Sequence, residues 1–172
     1  MRVLTITTPD LENGLGYRVT IWVAGCSHHC PGCHNPHTWV YDQGKPLLDK
    51  DVQEKIFEEV SKPYIKGITL SGGDPLSQSY DSLCDLDIFL KIFREEFHDK
   101  DVWIFAGETY EEAITSPVKR NILEKCDVMV DGPFKIELKD PDIPFRGSKN
   151  QRIIDLKQTI KENKIVNLKM LS

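Results

Sequence analysis

The sequence lacks any apolar run near the roughly 18 residues that a membrane-spanning helix needs. Its start, MRVLTITTPDLENG, lacks the charged-then-apolar layout of a signal peptide, so we expect a cytoplasmic protein with no membrane association. It also lacks a dense cluster of Lys and Arg with interleaved aromatic residues. With a net charge of -5, this argues against a nucleic-acid partner.

The familiar arrangements of hydrolytic catalysis are missing as well. No Ser-His-Asp set, paired-carboxylate motif or P-loop stands out. The five cysteines are an odd number and three fall within eight residues, which excludes a disulfide framework and indicates a metal or redox site in a reducing compartment. Cys84 and Cys126 stand alone in apolar surroundings and are predicted to be buried thiols.

Alternating strand and helix patterns predict an α/β protein with a mainly parallel sheet. A chain of 172 residues is one domain's worth, and its segment from about residue 133 is rich in prolines and charges and is predicted to be a long loop. The predicted strands are 17–24, 67–71, 101–107, 128–130 and a terminal strand at 165–170. The predicted helices are 49–60, 83–97, 108–125 with a break at Pro117, and 153–162.

The first chemical motif is GCSHHCPGCHN, which follows the first predicted strand. It places Cys26, Cys30 and Cys33 in a C-x3-C-x2-C spacing. Three thiolates satisfy three irons of a 4Fe-4S cubane and leave the fourth iron open for a substrate. A distant Cys84 or Cys126 could in principle supply the fourth thiolate.

Zinc is the competing metal, because a Cys3His tetrahedron would form a closed structural site. The same loop carries four histidines that could complete it, namely His28, His29, His34 and His37. The loop alone favours iron-sulfur over zinc and leaves both open. Of these histidines, His28 and His29 are expected to face solvent rather than to tune a cluster.

The second motif is Ser71-Gly72-Gly73-Asp74-Pro75, which follows the second predicted strand. Glycines let backbone amides and carbonyls approach a ligand closely. If the two strands are neighbours in one parallel sheet, both loops leave the same edge, where such folds bind ligands. The cysteine loop and the glycine turn are therefore predicted to face one pocket.

Five blocks in this order resemble the radical S-adenosylmethionine (SAM) activating enzymes, especially those that act on the anaerobic ribonucleotide reductase. The blocks span roughly residues 10 to 155 and are NGLGYR (13–18), GCSHHCPGCHNPHTW (25–39), SGGDP (71–75), VDGPF (130–134) and FRGSKNQR (145–152). A complete eight-fold barrel needs about 250 residues, so the resemblance implies a truncated, open (β/α) barrel.

The resemblance also implies the cofactors and their ligands. Cys26, Cys30 and Cys33 would bind the 4Fe-4S cluster, and its open iron would chelate the amino and carboxylate groups of SAM. The implied SAM-binding residues are Gly32, Cys33, His34, Gly72, Gly73 and Asp74. An electron from a flavodoxin-like donor would cleave SAM, and the resulting 5'-deoxyadenosyl radical would take a hydrogen atom from a glycine of the anaerobic ribonucleoside-triphosphate reductase large subunit.

Two other functions stay open at this point. The partner could be another glycyl radical protein of the formate-lyase type, since only the docking surface would differ. Alternatively, a zinc-stabilised binding module would need no SAM.

The sequence departs from the wider radical SAM pattern at two positions. An aromatic residue commonly precedes the third cysteine, where this chain has Gly32, and His34 and Asn35 could replace its contact with adenine. Asp74 stands where Glu is common, which is in keeping with the reductase activases.

Three further sites have two interpretations each. Gly107 and Glu108 could contact adenine and ribose or cap the next helix. Residues 131–133 and 146–152 could shape the partner-docking side or form only a turn and a charged loop.

Overall fold

The computed structural model describes residues 1–170 and contains one seven-stranded sheet in that range. The strands are β1 (Arg2–Asp10), β2 (Tyr17–Val23), β3 (Lys45–Pro46), β4 (Ile65–Gly72), β5 (Asp101–Phe105), β6 (Val128–Asp131) and β7 (Arg152–Asp155). The α-helices are α1 (Lys50–Val60), α2 (Tyr80–Glu96), α3 (Tyr110–Ala113), α4 (Pro117–Glu124) and α5 (Leu156–Glu162), with short 3-10 turns at Pro36–Thr38 and Ile136–Leu138.

The strand order across the sheet is β3-β1-β2-β4-β5-β6-β7, and the sheet is not closed. Strands β2, β4, β5 and β6 run parallel, whereas β1, β3 and β7 pair antiparallel with their neighbours. The prediction of an α/β fold is confirmed, and the sheet is parallel in part, across its four central strands. The connection from β1 to β2 spans residues 11–16, which is too short for the crossover that parallel strands require.

One face of the sheet is covered by the helices. Alternate residues of the strands, including Ile21, Leu70 and Ile104, pack into one core with apolar side chains of the helices. Leu86 and Phe93 of α2 belong to this core and are fully buried. The three-to-four-residue spacing predicted this apolar face of the helix correctly.

The opposite face of the sheet holds a buried arginine near the amino ends of the parallel strands. Arg18 is 0% exposed, forms an ion pair of 2.6 Å with Asp101, and donates from Nε to Thr69 Oγ1 at 2.7 Å. Its guanidinium carbon also lies 5.4 Å from the centre of the Trp103 ring. Burial lowers the pKa of Arg18, and the neighbouring Asp101 opposes that shift. Arg18 therefore fills the space on this face of the sheet near the amino ends of the parallel strands.

Three sequence predictions fail at the edges of the sheet. No strand was predicted at β1, whose side chains alternate between half-buried and exposed and include several threonines. The predicted helix from 153 begins later, because β7 occupies its first positions and Asp155 then caps α5 by accepting from Gln158 N. The predicted terminal strand at 165–170 is a single bridge between Asn167 and Ile154.

The two-residue strand β3 was not predicted, and the other predicted elements agree with the structure to within a few residues. The helical stretch from 108 to 125 is two helices separated before Pro117, as the break at that residue predicts. Residues 133–151 form a loop with one 3-10 turn. None of the helices within residues 1–170 combines the length and hydropathy needed to cross a bilayer.

Candidate metal centre

The cysteine loop leaves the carboxyl end of β2 and turns back against itself. Gly25 N donates to Thr38 O at 2.7 Å, and Cys26 N donates to Trp39 O at 3.2 Å. Gly25 has a φ of +102°, and a Cβ there would overlap the ring of Tyr41. Glycine is therefore required where the loop begins.

The three cysteines of the loop are free thiols with different exposure. Cys26 is buried at 9% exposure, whereas Cys30 and Cys33 are partly exposed. Cys33 N donates to Cys30 O at 3.1 Å, and Asn35 N donates to the sulfur of Cys33 at 3.4 Å. A cysteine binds metal through its sulfur as a thiolate, so these contacts fix the position of a sulfur that could serve as a ligand.

The glycine turn after β4 is hydrogen-bonded directly to the start of the cysteine loop. Val23 pairs with Gly72 in the parallel ladder, and beyond it Gly73 N donates to Val23 O and Asp74 N donates to Gly25 O, both at 2.8 Å. A Cβ at Gly73 would overlap the carbonyl of Gly25. The prediction that both loops leave the same edge of the sheet is confirmed.

The Asp74 carboxylate joins three loops. Its Oδ1 accepts from Leu76 N at 2.8 Å and from Ser77 N at 3.2 Å, while its Oδ2 accepts from Gly107 N at 2.8 Å. The same Oδ2 lies 2.8 Å from Nε2 of His28. Asp74 is 2% exposed, so both of its oxygens are used within the protein.

His28 is an exposed residue, as the sequence predicts, but its imidazole is also held by contacts within the protein. Its side chain is 30% exposed and packs over Gly107, where an added Cβ would lie 2.6 Å from the imidazole. The hydrogen bond to Asp74 raises the pKa of His28, with burial acting in the opposite direction. His29 is exposed as well, and its ring stacks on that of Trp39 with ring centres 4.6 Å apart.

Gln78 is a structural residue of the site that the sequence analysis missed. Its Nε2 donates to Ala24 O at 3.0 Å, Gly25 O at 3.1 Å and Asp74 O at 2.9 Å. It thereby holds the glycine turn against the cysteine loop. Its position four residues after Asp74 was the available signal, but a lone glutamine in a polar stretch gives no indication of such contacts.

The two loops face one open cleft of about 320 Å³ at the carboxyl ends of the parallel strands. The predicted site residues that line it are Cys26, Cys30, Cys33, His34, Gly72, Gly73 and Asp74. Gly107 also lines it, whereas Glu108 is ion-paired with Lys119 at 2.6 Å. The cap of α3 is Thr109, so neither Gly107 nor Glu108 serves as the helix cap.

The loop after β6 closes the far side of the cleft. A Cβ at Gly32 would lie 2.7 Å from Ile136, and the ring of His34 lies 5.3 Å from that of Phe134. Gly32 has a φ of +76° and does not line the cleft itself. The position that is commonly aromatic therefore favours glycine here, because of its left-handed backbone conformation.

Asp131 in the VDGPF block has a structural role. Its Oδ2 accepts from Tyr110 N at 2.8 Å, and its Oδ1 accepts from Arg152 Nε at 3.0 Å. Arg152 also forms an ion pair with Glu111 at 2.7 Å, and its hydrogen bonds to both carboxylates raise its pKa. Asp131 thus links β6, α3 and β7, while partner docking by this region stays a prediction.

The two remaining cysteines do not belong to the cleft. Cys126 is 1% exposed, as predicted, and burial raises its pKa to about 12. Cys84 is only half-buried, because it follows the core residue Leu83 on α2 and points about 100° away from the buried side. Neither thiol lines the cleft as a fourth cluster ligand.

The donor set fits a cubane better than a single zinc ion. Zinc bonds sulfur at about 2.3 Å, so it requires its ligand atoms to be tightly gathered. Within residues 1–170, the one group of three candidate ligands whose atoms lie within 4.8 Å of one another is Cys26, His28 and Asp74, which contains a single cysteine. The three cysteines do not form such a group, and a cluster that places each thiolate on a different iron suits sulfur atoms that are farther apart.

The fold and the site together define an α/β protein with three cysteines lining one cleft at the carboxyl edge of its parallel strands. The family profile of the 4Fe-4S single cluster domain matches residues 12–154. An anaerobic ribonucleoside-triphosphate reductase-activating protein of Pasteurella multocida is 39% identical over 146 residues, which cover 84% of this chain and 90% of that protein.

Two further relatives carry the same name. The Escherichia coli protein is 37% identical over 150 residues, covering 86% of this chain and 94% of its own length. The Haemophilus influenzae protein is 37% identical over 155 residues, covering 89% of this chain and 97% of its own length. The chain belongs to the family of anaerobic ribonucleoside-triphosphate reductase-activating proteins.

Proposed function

We propose that this protein is a radical SAM activase that generates a glycyl radical on an anaerobic ribonucleoside-triphosphate reductase. The observation that carries the proposal is the contact between the cysteine loop and the turn at 72–74. Both leave the same edge of the sheet, they are hydrogen-bonded to each other, and they face one cleft. The printed names of the relatives supply the partner, and the matching 4Fe-4S domain supplies the cluster type.

The proposed cluster ligands are Cys26, Cys30 and Cys33. All three thiols are free and line the same cleft, and the two other cysteines lie outside it. One iron then keeps an open position for a substrate. When bound, the cluster would supply the electron that cleaves SAM into methionine and a 5'-deoxyadenosyl radical, which takes a hydrogen atom from a glycine Cα of the partner.

The protein's own contribution is to hold and shield these groups. We propose that Cys33, His34 and the turn at 72–74 contact SAM, and that Gly32 acts through the loop conformation it permits. The buried Asp74 supports the site by fixing the glycine turn to Gly107 and to His28, which keeps the cleft walls in place. Hydrogen-atom abstraction needs no general acid or base, in keeping with a cleft whose buried carboxylate is already hydrogen-bonded.

The open sheet supports a further part of the proposal. We propose that it is a truncated (β/α) barrel of the radical SAM type, formed by a single domain with a loop-rich segment from about residue 133. The sheet does not close between β3 and β7, so one side of the cleft is accessible. A glycine-bearing loop of the reductase large subunit would enter there, and a flavodoxin-like protein would deliver the electron.

The first experiment is anaerobic reconstitution with iron and sulfide, followed by dithionite, SAM and chromatographic detection of 5'-deoxyadenosine. We expect a brown protein with four irons that forms the product, and a glycyl radical by electron paramagnetic resonance when the reductase is added. Cys30→Ala should lose the cluster, whereas the matched control Cys84→Ala should keep it. A fully loaded cluster that yields no 5'-deoxyadenosine would overturn the assignment, and a colourless protein that binds one zinc would favour a binding module.

A further inference from the structure

The loop that faces the cysteines across the cleft, residues 145–151, is held in one conformation by its own side chains. The Gln151 Oε1 accepts from Gly147 N at 2.9 Å and from Ser148 N at 3.1 Å, while its Nε2 donates to Gly132 O at 3.0 Å. The Ser148 hydroxyl accepts from Lys135 N at 3.1 Å. The loop is thus joined to the end of β6 and to the segment after it.

Phe145 has a backbone conformation that is energetically unfavourable for its residue type. It has a φ of +59°, an unfavourable backbone conformation for a bulky side chain. Its ring packs edge-on against Trp103 with centres 5.4 Å apart, and this contact holds the residue in place. The next residue along the chain is Arg146, whose position is therefore defined by packing on one side and by the Gln151 hydrogen bonds on the other.

Arg146 lines the same cleft as the three cysteines. Its Nη1 donates to Gln151 O at 3.3 Å, whereas its Nε is buried without a hydrogen-bond partner. No carboxylate within residues 1–170 lies within ion-pairing distance of it, although Arg18 and Arg152 each have such a partner. A buried, unpartnered guanidinium N–H is costly, so its side chain is suited to an acceptor that comes from a ligand.

We propose that Arg146 binds the carboxylate of the amino-acid end of SAM. A guanidinium presents parallel N–H donors that match a carboxylate, and this pairing is among the strongest hydrogen bonds in proteins. Asp74, the buried carboxylate of the cleft, already has its full set of donors, so it does not compete for Arg146. This inference rests on the proposed function, because it takes SAM as the occupant of the cleft.

The test compares the affinities of two ligands for the reconstituted protein, measured by anaerobic titration calorimetry. SAM carries the carboxylate, whereas 5'-methylthioadenosine has the same nucleoside without the amino-acid end. We expect Arg146→Gln to weaken SAM binding about 10- to 100-fold and to leave 5'-methylthioadenosine unchanged. Arg146→Lys keeps the positive charge but lacks the parallel N–H donors of the guanidinium, so its SAM affinity should lie between those of the wild type and Arg146→Gln.

The matched control is Lys149→Gln, which removes a largely exposed charge from the same loop and should leave SAM affinity unchanged. Iron content and thermal unfolding of each variant show whether the cluster and fold are intact. Unchanged SAM affinity in Arg146→Gln would overturn the proposal, and so would equal weakening of both ligands, which would place the acceptor on the nucleoside. Failure of the proposed function is distinct, since the wild type itself would then form no 5'-deoxyadenosine.

Discussion

Replacing Asp74 with Asn tests whether its carboxylate stabilises the protein before any cofactor is bound. The amide oxygen can still accept from Leu76 N and Ser77 N, as Oδ1 does now. The NH2 group then takes the place of Oδ2 and faces Gly107 N, so two donors oppose each other at a site where the carboxylate accepts at 2.8 Å. The substitution keeps the size of the side chain and changes only its charge and hydrogen bonding.

The expected loss of stability in Asp74→Asn follows from the hydrogen bonds that the carboxylate accepts. A buried N–H left without an acceptor costs about 1–3 kcal/mol, and the remaining bonds lose the extra strength that a charged acceptor gives. Because Asp74 is 2% exposed, water cannot replace the lost acceptor. We therefore expect the free energy of unfolding of the cluster-free protein to fall by about 2–4 kcal/mol.

The assay is urea unfolding of the cluster-free protein under reducing conditions, followed by circular dichroism. The change should appear as a lower midpoint with an unchanged slope. Asp142→Asn, in the exposed loop after residue 133, is the matched control and should stay within about 0.5 kcal/mol of the wild type. A loss smaller than about 0.5 kcal/mol in Asp74→Asn would refute the structural role of this carboxylate.

Three other predictions concern stability, reactivity and loop packing. Arg18→Met should destabilise the fold by about 3 kcal/mol in urea unfolding, because it leaves the half-buried Asp101 without its partner, and the added Asp101→Asn change should recover part of the loss. Cys126 should resist alkylation at pH 8 until the protein unfolds, since it is buried and its pKa is raised to about 12; rapid labelling of the native protein, read by mass spectrometry, would contradict this. Gly73→Ala should lower the iron bound on reconstitution, because its Cβ would overlap the carbonyl of Gly25; full loading would show that the loops separate without cost.

The interior of the sheet and its helices were predictable from composition and spacing. Strand β2 is a continuous run rich in β-branched and aromatic residues, which indicates a strand buried on both faces, and the buried residues of α2 recur every three or four positions. Strands β1, β3 and β7 were not predicted, because β1 is half-exposed, β3 has only two residues, and β7 has four residues that run directly into α5. Short or half-exposed edge strands depend on the neighbour they pair with, which local sequence does not reveal.

The sequence by itself was enough to identify the three cysteines and the glycine turn after the next parallel strand as parts of one candidate site. The capacity of these residues to bind metal depends on side-chain type and on spacing along the chain, so it could be predicted without coordinates. Only the tertiary structure decided that His28 meets Asp74, that Gln78 joins the two loops, and that Arg146 reaches the same cleft. These contacts join residues that lie on different loops, so the packing of strands into one sheet, rather than any local pattern, brings them together.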